Sequence, residues 1–407
     1  MKFPRMLPGK AALLYLIPAL FDLLLSLVLF VGTVRVARMT GNATRAGAVL
    51  AVWSLVYILT CPLLGRWVTS RNAQRLVLAG CLLFALSSAL LTVAVSILPM
   101  ILLMGVTGVA SAIFFMPFQV LMKDFDTAGG RPITYSAGLY TFAWSTGFAF
   151  GPMVSGLLMQ FGATATGGES PGWRYSFLLA SGIALAISIG LAFAYRKRDR
   201  RPTGKSVAEP VIAAPDRYAN RPDLAWLGWI VAATGIMALS INRTVFASRA
   251  VNELHLLDGA IGTIFFVLFL AQAFTGLALT GSRFWMYRPL PAAAFALPGI
   301  LGLFCFGFGH HLGVFLIGAA LFGIYSGACF YYLVFHALVH PKRAGRYVAV
   351  NETVVGLASF AGPMIGGVLA ESYNVRFPFL AAAGLTLLMT AFQCIVVSKN
   401  ERLPDAA

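Results

Sequence analysis

The sequence Gly151-Pro152-Met153-Val154-Ser155-Gly156 returns almost unchanged, 211 residues further on, as Gly362-Pro363-Met364-Ile365-Gly366-Gly367. Both copies lie inside long apolar stretches. A proline is penalised inside a soluble helix, whereas in a membrane helix neighbouring helices and waters satisfy the freed backbone groups. Small residues beside it let a second helix approach closely. The recurrence therefore predicts a duplicated membrane protein with helix-packing positions at Gly147, Gly151, Pro152, Gly156, Gly362, Pro363, Gly366 and Gly367.

The composition is that of an integral membrane protein. Of the 407 residues, 59% are hydrophobic and 11% are charged, and the mean hydropathy is +0.82. The net charge of +16 falls mainly in short gaps between apolar stretches, which membrane topology explains better than a nucleic-acid partner does. The five cysteines lack the spacing of metal ligands, so neither a metal site nor a cofactor is predicted.

Twelve stretches reach the length of about 20 apolar residues that a bilayer core requires. They span residues 11–34, 46–65, 76–95, 100–122, 136–160, 175–195, 224–246, 259–280, 289–309, 312–338, 347–370 and 377–397. Lys and Arg concentrate in alternate gaps, which places both termini in the cytoplasm. The sequence thus predicts an all-α protein with a six-helix bundle at 1–195, a polar cytoplasmic linker at 196–223 and a second six-helix bundle at 224–407.

Further matches between the two halves support the duplication. They pair Gly65 with Gly276 and Arg38 with Arg249 at an offset of 211, and Gly108 with Gly323 at an offset of 215. Together these matches favour parallel repeats related by an axis along the membrane normal.

Two motifs resemble those of a known family. The pattern Gly147-x-x-x-Gly151-Pro152-x-x-Ser155-Gly156 resembles the fifth-helix signature of the drug/proton antiporters in the major facilitator superfamily, and residues 65–75 occupy the place of the family's cytoplasmic loop signature. The resemblance covers essentially the whole chain and implies a transporter that alternates access around a central site. Those antiporters carry an Arg in the fourth helix, whereas the equivalent stretch here, 104–108, has none.

Asp22 is the leading candidate for proton coupling. It lies near the middle of the first stretch, where a charge costs a few kcal/mol. A carboxyl group held away from water suits a site that binds and releases a proton or a cationic substrate. The alternative is a permanent structural contact with a basic or amide partner. The other candidates for coupling or substrate binding are Arg243, Asn242, Gln119, Tyr140, Trp144, Gln272, Tyr325 and Tyr332.

A second group of residues is predicted to act as a cytoplasmic gate. Glu352 lies about 7 to 8 Å above the start of its helix, so it either lines the cavity or pairs with Arg343 or Arg346, and the gate is favoured. The predicted gating residues are Asp124, Arg71, Arg75, Arg346 and Glu352.

No phosphate-binding loop, nucleophile elbow or zinc-protease motif occurs, so the sequence predicts no enzyme, and a gradient must drive transport. The first hypothesis is proton-coupled export of a small amphipathic molecule across a bacterial inner membrane by a monomer surrounded by lipid. The second is an uptake symporter or uniporter for a small nutrient. The third is a non-transporting receptor that holds a partner through the linker.

Overall fold

The computed structural model describes residues 9–65, 67–69, 71–128, 133–166, 171–198, 222–279, 287–338 and 344–401. These ranges contain twelve helices that are long and apolar enough to cross a membrane. They are α1 Gly9–Thr40, α2 Ala43–Gly65, α3 Ala73–Leu91, α4 Ile97–Ala128, α5 Ile133–Thr166, α6 Gly172–Arg198, α7 Ala225–Asn252, α8 Asp258–Leu279, α9 Pro289–Phe308, α10 Leu312–Leu338, α11 Ala344–Ser372 and α12 Phe377–Glu401.

The predicted all-α, twelve-helix architecture is confirmed, but several helices extend beyond the predicted stretches. The helix α1 continues six residues past 34 because nothing interrupts it before Gly41, which has a positive φ of 62° and ends the helix. Asn42 then accepts a hydrogen bond from the backbone N–H of Arg45 at 2.7 Å and starts α2. Arg38 therefore lies in the last turn of α1. Most of the predicted linker lies outside the described residues.

The helix α7 is interrupted near one end. It is α-helical over Ala225–Ile241, π-helical over Asn242–Phe246 and α-helical again over Ala247–Asn252. A π-helical turn inserts an extra residue and turns the side chains that follow it to a new direction, and such turns are frequent at functional sites. This turn positions Asn242 and Arg243.

The duplicated sequence packs helices together within each half. The glycines at 147 and 151 place α5 against the α1 backbone at residues 19–27, and Gly362 places α11 against the α7 backbone at Met237. Gly366 likewise lies against Ile241 and Val245 of α7. A methyl group on the first three of these glycines would meet backbone atoms, so the close approach depends on the missing side chain.

The same sequence also joins the two halves. Gly156 lies against the carbonyl of Asp258, and Gly262 lies against the carbonyl of Pro152, which forms the α5–α8 interface. In the α2–α11 interface, Gly47 lies against the carbonyl of Pro363, and Gly367 lies against the backbone of Thr44. Each copy therefore presents one set of small residues to its own half and another set to the opposite half.

Polar contacts reinforce these interfaces on the side of the membrane domain where α1 ends and α2 begins. We call this the Arg38 side, and the opposite side the Arg75 side. Arg38 of α1 pairs with Asp258 of α8 at 2.7 Å. The backbone N–H of Thr44 donates to Glu371 at 2.8 Å. The two halves are thus held together on the Arg38 side.

Candidate functional site

Five polar side chains from five helices meet where the two halves face each other. This group, which we call the carboxyl cluster, consists of Asp22 (α1), Tyr57 (α2), Gln119 (α4), Tyr140 (α5) and Glu352 (α11). Glu352 accepts hydrogen bonds from the hydroxyl of Tyr57 at 3.3 Å and from the amide nitrogen of Gln119 at 3.4 Å. These bonds join α11 of the second half to α2 and α4 of the first half.

Asp22 is the most isolated member of the carboxyl cluster. It is 3% exposed, and its Oδ2 atom has no hydrogen-bond partner among the described residues. Packing fixes the helix around it, since the ring of the preceding Phe21 stacks on Phe114 with centroids 3.7 Å apart. Tyr140 lies close enough to both Asp22 and Glu352 for either carboxylate charge to act on its hydroxyl group. An unpartnered buried carboxyl group can take up a proton without disrupting an ion pair.

Arg243 occupies a separate pocket nearer the Arg38 side. The pocket is a small cavity of about 20 Å³, lined by side chains of α1, α2, α5, α7 and α8, so it also lies between the halves. The Arg243 guanidinium carbon lies 5.0 Å from the centre of the Phe148 ring and 5.8 Å from that of Phe269. The neighbouring Asn242 is fully buried, and neither of its amide atoms has a partner among the described residues.

Gln272 and Trp144 form a third group across the same surface. The buried amide of Gln272 (α8) donates to Ser145 of α5 at 3.0 Å and accepts from Ser326 of α10 at 2.7 Å. The ring of Trp144 (α5) lies 5.1 Å from that of Phe330 (α10). Both residues therefore connect the halves, Gln272 through a hydrogen bond and Trp144 through a ring contact.

Other predicted site residues lie elsewhere. Tyr325 and Tyr332 line a pocket between α7, α9, α10 and α12, inside the second half and apart from the carboxyl cluster. Arg71 and Arg75 are exposed, and no ion pair joins them to a described residue. The side chains of Asp124, Arg343 and Arg346 lie outside the described residues, so the predicted pairings with them stay predictions.

Two features of the site were not predicted. The hydroxyl of Tyr57 binds Glu352, yet a tyrosine in an apolar helix carries no sequence signal of its own. The Arg38–Asp258 pair could have been suspected, because an acid that begins one membrane stretch and a base that ends another lie in gaps on the same predicted side.

Comparison with known proteins identifies the family. The model of the Major Facilitator Superfamily matches residues 13–339. The chain belongs to this superfamily. A superfamily member with twelve apolar helices is a multi-pass integral membrane transporter, and its bacterial relatives place it in a bacterial plasma membrane.

Relatives of this superfamily member include two named bacterial proteins. It is 22% identical to multidrug resistance protein 2 of Bacillus subtilis over 361 residues, which cover 84% of this chain and 83% of the relative. It is 22% identical over 350 residues to the proton-coupled antiporter flippase LtaA of Staphylococcus epidermidis, covering 83% and 81% of the two chains.

Solved structures agree on the superfamily fold. A bacterial homologue of the human lysosomal transporter Spinster, in an inward-facing and unoccupied conformation, superposes with a TM-score of 0.67 at 15% identity, covering 98% of this chain and 99% of that one. Tetrameric PepTSo2 superposes with a TM-score of 0.63 at 15% identity, covering 95% of this chain and 96% of that one.

Proposed function

We propose that this transporter exports a small amphipathic molecule in exchange for protons, by alternating access across the bacterial plasma membrane. The carboxyl cluster carries the proposal, because it places the buried Asp22, whose Oδ2 atom has no hydrogen-bond partner among the described residues, where the two halves meet. In this proposal the Arg38 side faces outward, as the distribution of basic residues predicts. The names of the relatives, a multidrug resistance protein and a proton-coupled antiporter flippase, agree with it.

The contacts of Glu352 suggest how protonation acts on the conformation. An ionised carboxylate accepts stronger hydrogen bonds than a neutral carboxyl group does. Loss or gain of a proton at Glu352 therefore changes the strength of its bonds to Tyr57 and Gln119, which cross from one half to the other. In the proposed cycle Asp22 and Glu352 exchange protons with one side at a time, and the substrate competes for the same surface.

A transport assay with the purified full chain in proteoliposomes tests the proposal. Liposomes containing a pH-sensitive dye receive an imposed proton gradient and dansylcadaverine, dansylamide or dansylglycine, which share one fluorophore and differ in charge. The wild-type protein should move at least one probe against its gradient with stoichiometric proton counterflow. Asp22→Asn should abolish the gradient-driven flux, because an amide at position 22 cannot titrate.

The matched control is Glu253→Gln, the same acid-to-amide change at a half-exposed side chain. It should leave gradient-driven flux unchanged. Gradient-driven flux that survives Asp22→Asn would refute the assignment of Asp22. Probe movement that ignores the proton gradient in the wild-type protein would refute proton coupling itself.

The second candidate function is uptake of a small organic anion, which the positive charge of Arg243 in an internal pocket favours. The same assay distinguishes the two, because an uptake symporter moves protons and probe in the same direction.

A further inference from the structure

Arg243 is a charged side chain in the π-helical turn near one end of α7, and no described residue provides a counter-ion for it. It lies nine residues before the end of α7, about 13 Å along the helix axis. No described residue forms an ion pair or hydrogen bond with its guanidinium group, and its contacts are the rings of Phe148 and Phe269. Ring contacts compensate a partly buried charge only in part, and they form no hydrogen bonds with its five N–H donors. Binding of an anion would compensate the charge of such a group.

The pocket around Arg243 has both polar and apolar walls. The side chains of Ser26 and Thr33 on α1 supply hydroxyl groups, whereas Phe30, Phe265 and Phe269 supply apolar surface. The lining residues include no acid. The nearest acid along α1 is Asp22, one helical turn beyond Ser26, and it forms no ion pair with Arg243. Positive charge, hydroxyls and aromatic rings in one small pocket match a ligand that is itself half polar and half apolar.

The side chain of Arg243 is partly buried and lines this pocket. The π-helical turn fixes its direction, and the pocket lies between α1, α2, α5 and α8, which are packed through the two interfaces between the halves. The helices that enclose the pocket are those that must separate when access alternates. A ligand bound to Arg243 is therefore positioned to be enclosed and released by that movement.

We infer that Arg243 is the anion-binding position of the substrate site, and that the transported molecule carries a carboxylate, phosphate or sulfonate group beside an aromatic or alkyl body. The anionic group lies against the guanidinium and the hydroxyls of α1, and the apolar body lies against the phenylalanine rings. This inference rests on the proposed function and narrows its substrate to amphipathic organic anions.

Binding of three matched probes to the full chain in phosphatidylcholine nanodiscs tests the inference. Dansylglycine is anionic, dansylamide is neutral and dansylcadaverine is cationic, and their fluorescence reports transfer into an apolar site. We expect dansylglycine to bind at least about tenfold more tightly than dansylamide, since hydrogen bonds to an ionised group are roughly twice as strong as neutral ones. Dansylcadaverine should bind the least tightly.

Variants assign the preference to one side chain. Arg243→Gln should reduce the affinity for dansylglycine to that for dansylamide, and Arg243→Lys should keep part of the preference because it keeps the charge. Arg45→Gln, which removes an exposed arginine on α2, should change nothing. If Arg243→Gln does not fold, the lysine variant and the wild-type comparison of the three probes still decide the question.

Several results would overturn the inference. They are equal affinities for the three probes, a preference for the cation, no saturable binding of the anion, or an anion preference that persists in Arg243→Gln. Competition by inorganic phosphate as strong as by unlabelled dansylglycine would assign a site for a small inorganic ion instead. Loss of dansylglycine binding in phosphatidylglycerol nanodiscs would assign the site to a lipid headgroup.

The binding assay uses no proton gradient, so its outcome is independent of proton coupling. Intact anion preference with failed proton exchange would refute the proposed export mechanism alone. Proton-coupled movement of dansylcadaverine without any anion preference would refute the anion site alone.

Discussion

Replacing Gly262 with alanine should open the Arg38 side, because the α5–α8 interface has no space for a methyl group. A Cβ atom at position 262 would overlap the carbonyl oxygen of Pro152 and lie 3.2 Å from the Cα atom of Met153. Both are backbone atoms, so no side-chain rotation relieves the overlap. The equivalent change in the α2–α11 interface, Gly47→Ala, is milder, with a Cβ–oxygen distance of 2.8 Å to Pro363.

These distances set the expected magnitude. Ordinary contact begins at about 3.4 Å, so α2 and α11 must separate by about 0.6 Å at Gly47, and α5 and α8 must separate further at Gly262. Overpacking of this kind costs about 1 to 3 kcal/mol. The ratio of molecules whose Arg38 side is closed to molecules whose Arg38 side is open should therefore fall by a factor of about 5 to 150. Gly262→Ala should lie nearer the upper end of this range.

The distance between spin labels on the Arg38 side measures this ratio. Labels at Arg45 on α2 and Leu257 before α8, both exposed, report the separation of the two halves in a background without native cysteines. Gly105→Ala and Gly182→Ala serve as controls, because a Cβ at Gly105 comes no closer than 3.5 Å to a neighbour and one at Gly182 has no neighbour within 4 Å.

Both interface variants should shift the label distances to longer values, and the controls should not. Alanine raises intrinsic helix stability by about 1 kcal/mol relative to glycine at all four positions, so that contribution is matched. Identical distance distributions for Gly262→Ala and Gly105→Ala would refute the reasoning, and so would a larger shift for Gly47→Ala than for Gly262→Ala.

Two polar contacts give further predictions of different size. Asp258→Asn breaks an ion pair whose arginine, Arg38, is 49% exposed, so it should weaken closure of the Arg38 side by less than about 1 kcal/mol. A double-mutant cycle with Arg38→Gln measures the coupling energy of the pair, and a coupling above about 2 kcal/mol would contradict this prediction. Arg249→Gln removes hydrogen bonds of 2.5 and 3.1 Å from a fully buried guanidinium to two carbonyls at the end of α9. It should lower the unfolding free energy by about 3 kcal/mol, and an unfolding temperature equal to that of Arg45→Gln would contradict this.

The number and approximate positions of the helices could be predicted because apolar length is a local property. The duplication was predicted from a repeated phrase and from further matches at offsets of 211 and 215, and the structure shows which helices take which offset. Gly47 and Gly262 pack against equivalent prolines, and an offset of 215 relates them, whereas an offset of 211 relates Pro152 to Pro363. The pairing of Gly65 with Gly276 at 211 is therefore wrong, because the segments between these helices differ in length in the two halves.

Arg38 and Arg249 both lie in the last turn of their helices, as their pairing predicts, but they make different contacts. Arg249 donates to carbonyls at the end of α9, the third helix of its half. In the first half it is Arg35 that donates to a carbonyl just beyond the third helix, that of Ala94 at 2.7 Å, while Arg38 pairs with Asp258. Identical residues at a constant offset cannot reveal this difference in contacts. The partner of a side chain depends on the rotation of its helix and, in α7, on the π-helical turn.

The carboxyl cluster depends on tertiary structure in the same way. Asp22 and Glu352 could each be selected as costly charges in apolar helices, but 330 residues separate them in the sequence. Tyr57 binds Glu352, and Tyr140 lies near both carboxyl groups, only because five helices converge. No sequence pattern encodes that convergence. Likewise, Arg243 could be selected for its charge, while its enclosure by phenylalanine rings follows from the packing of α5 and α8.

The α2–α11 interface extends from the carboxyl cluster to the Arg38 side, so a single helix–helix contact links the two. Glu352, Gly356, Pro363 and Gly367 lie along one face of α11, and all of them face α2. A change of about 5.5 kcal/mol is enough to move a two-state equilibrium from 1:99 to 99:1. The glycine contacts and the half-exposed ion pair hold the Arg38 side closed by amounts of this order or less. In the proposed cycle, a proton at Glu352 would alter the hydrogen bonds at one end of the helix–helix contact whose other end closes the Arg38 side. A local change of a few kcal/mol there would be sufficient for alternating access.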